Sequence, residues 1–208
     1  MKYLRYLENN LWLTALLAFF VALATRYLVT FFIFLNLNFP FQRYDSYIYV
    51  LKSLEILKGD WSPMVTHSIG WPIFLAPFFY FFRGVSIFEN IVYGTLFTIF
   101  TSSLIVFPLL YLGKQLLLNR RAIVVLALAF ALNFFLILPE TSAIIIITEY
   151  LFTFLLLLTL IFIIKSRDKP LFLLAASVVG GLAYWVRPNG IFLVPIIFFS
   201  YFLLARRS

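Results

Sequence analysis

Few residues in this chain of 208 can do acid–base or phosphate chemistry: Asp and Glu total 8, Lys and Arg 16, and histidine occurs once. Asp45 opens a charged stretch, QRYDSYIYVLKSLEILKGDW. A carboxylate there serves as a helix N-cap, accepting backbone N–H groups, or as a general base or metal ligand. The two roles are compatible, since a cap is rigidly held. Arg43, two residues earlier, can pair with Asp45, contact lipid headgroups or clamp a phosphate. His67 cannot build a His-rich metal site alone; it is a solvated loop residue or a substrate contact. Glu149 falls inside the apolar run 144–158, where a carboxylate is costly and must face protein or water. It serves either helix packing or function. Arg187, in the turn Arg187-Pro188-Asn189-Gly190, either snorkels or offers its planar fork to a phosphate. Arg26, inside the first apolar run, pairs with an acid or marks a helix end. Glu140 reads as a solvated turn residue.

The elements that must position these residues follow from composition. Hydrophobic residues make up 64%, mean hydropathy is +1.04 and charged residues are 12%, where soluble domains carry about 25%. Crossing the hydrocarbon takes about 20 apolar residues per helix. Six segments approach that length: 11–35, 86–112, 122–138, 143–164, 171–186 and 191–204. Lipid offers backbone groups no partners, so helices are required, and long unalternating runs exclude a barrel. The predicted fold is all-α and polytopic. One membrane domain, 1–208, holds a first span, an outer loop over 36–85 and five further spans over 86–204. The first span is too long for a signal peptide and has no small-residue cleavage site. Without cysteine, the loop has no disulfide staple.

Charge placement sets orientation. Lys2 and Arg5, then Lys114, Arg120 and Arg121, then Lys165, Arg167 and Lys169, then Arg206 and Arg207 form four clusters. They alternate with loops poorer in Lys and Arg, which predicts a cytoplasmic N-terminus in a multi-pass cell-membrane protein. The outer loop and the turns at 139–141 and 187–190 then share the opposite face. The net charge of +8 reads as this topology signal plus attraction to anionic membrane lipids. Nucleic acid is excluded as a partner, because the cations are dispersed over helix ends.

Within the loop, Tyr47, Val50, Leu54, Leu57 and Trp61 recur at helical spacing, with Lys52, Glu55 and Lys58 off that stripe. The pattern predicts an amphipathic helix in the outer interface, stopped at Gly59. Trp61-Ser62-Pro63 breaks the chain. Gly70-Trp71-Pro72 then starts an apolar stretch, 73–82, too short to cross and read as interfacial or re-entrant. The Gly180-Gly181 pair lets a neighbouring helix approach closely. No P-loop, GxGxxG, HExxH or GxSxG occurs, so nucleotide-driven transport and membrane zinc proteolysis have no support.

Asp45-x-x-x-Tyr49, Gly59-Asp60-Trp61 and Gly70-Trp71-Pro72-Ile73-Phe74-Leu75-Ala76 together resemble the first outer loop of the polyprenyl-phosphate-sugar-dependent membrane glycosyltransferases of the GT-C fold. That family includes protein mannosyltransferases and aminoarabinose transferases. Ser68-Ile69-Gly70-Trp71-Pro72 keeps the Gly and Pro of the family's Pro-Pro-Gly-Tyr-Pro-like element, with Trp for Tyr and no paired prolines. Thr148-Glu149-Tyr150-Leu151-Phe152 resembles the opening of a later family helix. Gly181-Leu182-Ala183 with Arg187-Pro188 resembles the family's Gly-Leu-Ala…Arg-Pro turn.

The resemblance implies an inverting sugar transfer from a polyprenyl-phosphate-linked sugar at the outer face. Asp45 is the implied catalytic base that deprotonates or orients the acceptor hydroxyl, with or without a divalent metal whose ligands stay unknown. Arg187 is the implied phosphate ligand, with Arg43, His67 and Glu149 as further substrate contacts. Family members usually carry more membrane helices, and many end in a soluble domain. The implied unit is therefore a front module, completed by further helices in the same or a second polypeptide. Two other classes stay open: a non-catalytic membrane subunit or scaffold binding lipid-linked sugar, and a lipid-sugar flippase or transporter. The orientation has a direct check. A cysteine placed at Ser62 is expected to react with an impermeant thiol reagent added outside, and one at Asn119 is not; the reverse labelling contradicts the outer-face assignment.

Overall fold

The computed structural model describes residues 10–36, 44–64, 67–116, 119–132 and 148–205, and among these there are helices and turns but no strand. The helices are α1 (Leu11–Asn36), α2 (Tyr44–Leu57), α3 (Gly70–Phe81), α4 (Ile87–Leu104), α5 (Val106–Gln115), α6 (Arg120–Ala131), α7 (Glu149–Lys165), α8 (Leu171–Val186) and α9 (Leu193–Ala205). A 3-10 turn, Pro188–Phe192, joins α8 to α9. Two helical stretches are long and apolar enough to cross a membrane, Leu11–Phe32 and Ile87–Gln115. The basic clusters at the two termini, the turn at 139–141 and the outer ends of the third and fourth expected spans lie outside the described residues.

Local chemistry explains the boundaries. Ser86 caps α4, its hydroxyl accepting the Glu89 N–H at 3.1 Å, while Glu89 accepts the Val85 N–H at 2.7 Å. Ser86 thus satisfies one N–H that a bare helix start leaves open, and Glu89 ties down the residue before the cap. Asn119 caps α6 by accepting the Ala122 N–H at 2.8 Å. The long second apolar stretch breaks only at Ile105. Pro108 has no N–H to give the Leu104 carbonyl, so one ladder bond is missing there. Gly59 ends α2 as expected, and with the reason visible: its φ is +91°. Gly59 N–H donates to the Ile56 carbonyl at 3.0 Å and Asp60 N–H to that of Glu55 at 3.0 Å, the paired bonds of a Schellman stop.

One core joins α1, α5 and α6. Ala15, Ala18 and Ala22 form a small-residue face on α1, buried against Val106, Leu110, Ile123 and Ala127. Small side chains let helix backbones approach closely. Arg26 lies on the same helix at 2% exposure. It marks no helix end, since α1 continues to Asn36, and no carboxylate among the described residues pairs with it. Its Nη1 donates to Ser103 Oγ at 2.9 Å and its guanidinium stacks 4.9 Å over the Phe130 ring. A hydroxyl and a π face thus take the place of the expected acid. At the far end Lys165 Nζ sits 5.1 Å from the Tyr111 ring and 5.4 Å from that of Phe172. The last turns of α5 and α7 and the first of α8 therefore share one basic end.

The second core lies at the other end and joins α2, α3, α4, α7, α8 and α9. Here two expectations are corrected. The apolar stripe predicted for α2 is rotated: Tyr47 and Trp61 are exposed, whereas Ser46, Tyr49, Val50, Ser53 and Ile56 are buried. The reason is that α2 packs on α3 and α4 rather than lying alone on an interface, so its buried arc is wider. Lys52, expected off the stripe, is buried at 6%. Likewise α3 packs into this core. Trp71, Leu75 and Phe79 are fully buried, while Tyr80 and Phe81 are exposed.

Glycines mark the tightest contacts. A Cβ on Gly70 would collide with the Trp185 carbonyl of α8. Gly180 faces Ile197, Thr159 and Leu193, but Gly181 faces open space, so only one of the expected glycine pair serves close approach. Gly70→Ala is expected to destabilise the fold by about 1–3 kcal/mol through overpacking. Gly181→Ala is expected to be neutral or stabilising by up to about 1 kcal/mol through helix propensity. Thermal unfolding of both variants in one lipid mimic checks this; equal melting temperatures contradict the docking of α3 on α8.

Candidate functional site

Arg187 closes α8. Its backbone is extended (φ −150°, ψ 125°), its N–H donates to the Ala183 carbonyl at 2.9 Å, and its carbonyl accepts the Gly190 N–H at 2.8 Å. Pro188 starts the 3-10 turn, where a missing N–H costs nothing. Gly190 is needed for closeness rather than for φ: a Cβ there would lie 2.6 Å from Tyr184 Cα and N. The Arg187 backbone is therefore fixed on both sides, while its side chain stays 35% exposed.

Glu149 meets this arginine. Arg187 Nη1 lies 2.8 Å from Glu149 Oε1 in an ion pair, and the glutamate side chain is 45% exposed. The cause is the α7–α8 hairpin. Helices of 17 and 16 residues, joined by a short turn, run antiparallel, so the first turn of one lies beside the last turn of the other. Glu149 accordingly stands in a first helical turn, and not one and a half turns into a helix as the apolar run implied. An anion there also meets the positive end of the helix dipole. Among the described residues the remaining guanidinium donors of Arg187 have no protein partner. Neither snorkelling nor an open fork alone describes the residue: one edge is paired and the rest is available.

The segment before α3 closes in from a second side. Ser68 Oγ donates to the Trp185 carbonyl and accepts the Gly70 N–H at 3.4 Å. Trp185 is two residues from Arg187, so this contact fastens the 67–70 segment beside the arginine turn. His67 packs edge-on against Tyr49, with ring centroids 5.4 Å apart at 90°. Trp71 lies beneath, fully buried, and its indole N–H has no hydrogen-bond partner among the described residues.

Position 45 precedes Tyr49 by one helical turn on the same face of α2. Because α2 begins at Tyr44, Asp45 falls in the first turn and not at the cap; the structure describes its backbone alone. Arg43 and Glu140 lie outside the described residues. Among the described residues no group of three or more His, Asp or Glu side chains could hold a metal. The structure thus brings Glu149 and Arg187 together and fastens the segment that begins with His67 beside them. The pairing went unread because Glu149 was placed by hydropathy. The near-equal lengths of the two apolar helices, separated only by Ser166–Pro170, were the signal that locates it. No protein-family model, curated protein or solved structure matches this chain.

What this arrangement offers is a rigid, half-exposed cation with spare donors beside a carboxylate that can be displaced. Exposed ion pairs contribute little, about 0–1 kcal/mol. A double-mutant cycle on Glu149→Gln and Arg187→Gln is expected to give a coupling of roughly 0.2–1 kcal/mol in unfolding. A coupling of several kcal/mol would instead mark a buried structural pair.

Proposed function

We propose that the chain is a six-span membrane protein of the cell membrane with a cytoplasmic N-terminus, and the front module of a GT-C-like glycosyltransferase. In this reading it moves a sugar from a polyprenyl phosphate to an acceptor hydroxyl at the outer face. The large apolar side chains left outside the protein support the membrane part: Trp12 is 72% exposed, Phe32 67%, Leu171 75% and Phe199 65%. Soluble monomers rarely carry such faces, and lipid covers them without cost. The observation that carries the functional part is the Arg187–Glu149 pair, at the end of the α7–α8 hairpin opposite Lys165, with the 67–70 segment fastened beside it.

The chemistry follows from the donor. The acceptor oxygen attacks C1 of the sugar on the face opposite the phosphate. The C1–O bond breaks, its electron pair leaves with polyprenyl phosphate, and the hydroxyl proton passes to Asp45. Negative charge grows on the departing phosphate, so a fixed cation there lowers the barrier more than it strengthens ground-state binding. Arg187 supplies that cation, and Glu149 holds one edge of it in place. His67 and Arg43 are substrate contacts on the 36–85 loop.

Two substitutions test the assignment. Asp45→Asn keeps the size and removes the charge; turnover is expected to fall by about 10²–10⁴ with folding unchanged, and a fully active variant contradicts the base role. Arg187→Lys keeps the charge but loses the planar fork. It is expected to weaken binding of a polyprenyl-phosphate analogue by roughly 1–3 kcal/mol, while equal affinity returns Arg187 to a structural role.

A further inference from the structure

A second polar feature lies away from the arginine turn, on the outward part of α2. Its last turns and the strap that follows enclose a cleft of about 250 Å³. Ile48, Leu51, Lys52 and Glu55 line one side, and Ser62, Pro63 and Met64 the other. Ligand pockets usually hold about 300–1,000 Å³, so the cleft suits something the size of one sugar ring. Its floor is built rather than incidental. Lys52, its side chain 7% exposed, donates from Nζ to Glu55 Oε2 at 3.0 Å and to Ser62 Oγ at 2.8 Å. Asp60 Oδ1 lies 3.7 Å from the same ammonium, beyond hydrogen-bond reach. Asp60 Oδ1 also accepts the Ser62 N–H at 2.9 Å, which ties the strap to the stop at Gly59. The Asp60 carboxyl is held below its ordinary range, first by that Ser62 N–H, then by the Ser62 hydroxyl and Lys52.

The charge pattern selects the ligand. A metal cation would need the space between the carboxylates, and the Lys52 ammonium already stands there. A phosphate or other anion would meet two carboxylates, Glu55 at 47% and Asp60 at 52% exposure. A hydroxyl suits both halves of the site. It donates to an outward carboxylate lone pair and accepts from the third N–H of the ammonium, since Lys52 carries three donors and two are committed. Pro63, Met64, Ile48 and Leu51 offer apolar surface for ring C–H groups. We propose that this cleft binds a neutral sugar ring through its hydroxyls. Its role as a sugar subsite of the transferase rests on the reading given above, but the binding itself does not.

The test uses the full chain in phosphatidylcholine nanodiscs, free of glycoside detergents, with glucose, mannose and glucuronate as probes in saturation-transfer NMR. Transfer to the neutral hexoses is expected, and the signal from glucuronate is expected to be much weaker. The double variant Glu55→Gln, Asp60→Asn keeps shape and removes charge. It is expected to bind hexose about tenfold more weakly, as for one lost charge-assisted hydrogen bond. Gly181→Ala, on an open face of α8, is expected to leave the hexose signal unchanged. Hexose binding without sugar transfer therefore sinks the enzymatic reading and leaves this one standing. No transfer to any hexose in the wild-type chain, or an unchanged signal in the double variant, overturns the cleft. A glucuronate signal as strong as glucose overturns the charge argument and the proposal with it.

Discussion

The docking of the first turn of α3 onto the last turn of α8 is the contact on which the Arg187 end depends. At Gly70 the two backbones lie too close for any side chain, and Ser68 bonds the Trp185 carbonyl across the gap. That contact makes the segment between the first and second long apolar stretches part of the core. Trp71, Leu75 and Phe79 become fully buried, and α2 is carried in against α3 and α4. Once the strap is fixed to α8 through Ser68, His67 packs edge-on against Tyr49 of α2. The α7–α8 hairpin then brings Glu149 from the other side.

Three cations in this chain are treated in three physical ways, and the difference decides which can act on a ligand. Arg26 is sealed at 2% exposure and held by a hydroxyl and an aromatic face, its buried Nε–H finding no partner among the described residues. Lys52 is nearly sealed and carries two carboxylates around it. Arg187 alone among the three combines a fixed backbone, a one-third exposed guanidinium and a single carboxylate partner. A pair so exposed is weak, so the singly charged phosphodiester of an incoming donor can share the guanidinium with Glu149 or displace it at small expense. The same exposure would make it a poor structural strut.

Much of the scaffold was legible in the residues. The span 171–186 coincides with α8, and Gly59 stops α2 through the positive φ that glycine permits. The Arg-Pro-Asn-Gly turn exists, though Gly190 is there for its missing side chain rather than for turn dihedrals. Hydropathy failed where tertiary packing overrode it. Glu149 looked buried in an apolar run but opens a helix, because apolar residues on both sides of a helix start give no boundary signal. The α2 stripe was rotated because a helix packed on two neighbours buries a wider arc than one lying on a surface. Lys52, expected off the stripe, is buried because the fold brings Glu55, Asp60 and Ser62 around it. The Ser86-x-x-Glu89 cap was readable in principle, being a short-range pattern before an apolar run.

The central claim is that the Arg187 end handles a lipid-linked sugar phosphate. It is tested most directly by incubating the purified chain with labelled polyprenyl-phosphate sugars and an acceptor alcohol, with and without added divalent metal. The account predicts release of polyprenyl phosphate and a glycoside of inverted configuration at C1. Failure to bind or turn over any such donor, by a chain shown to be folded and membrane-inserted, would contradict it.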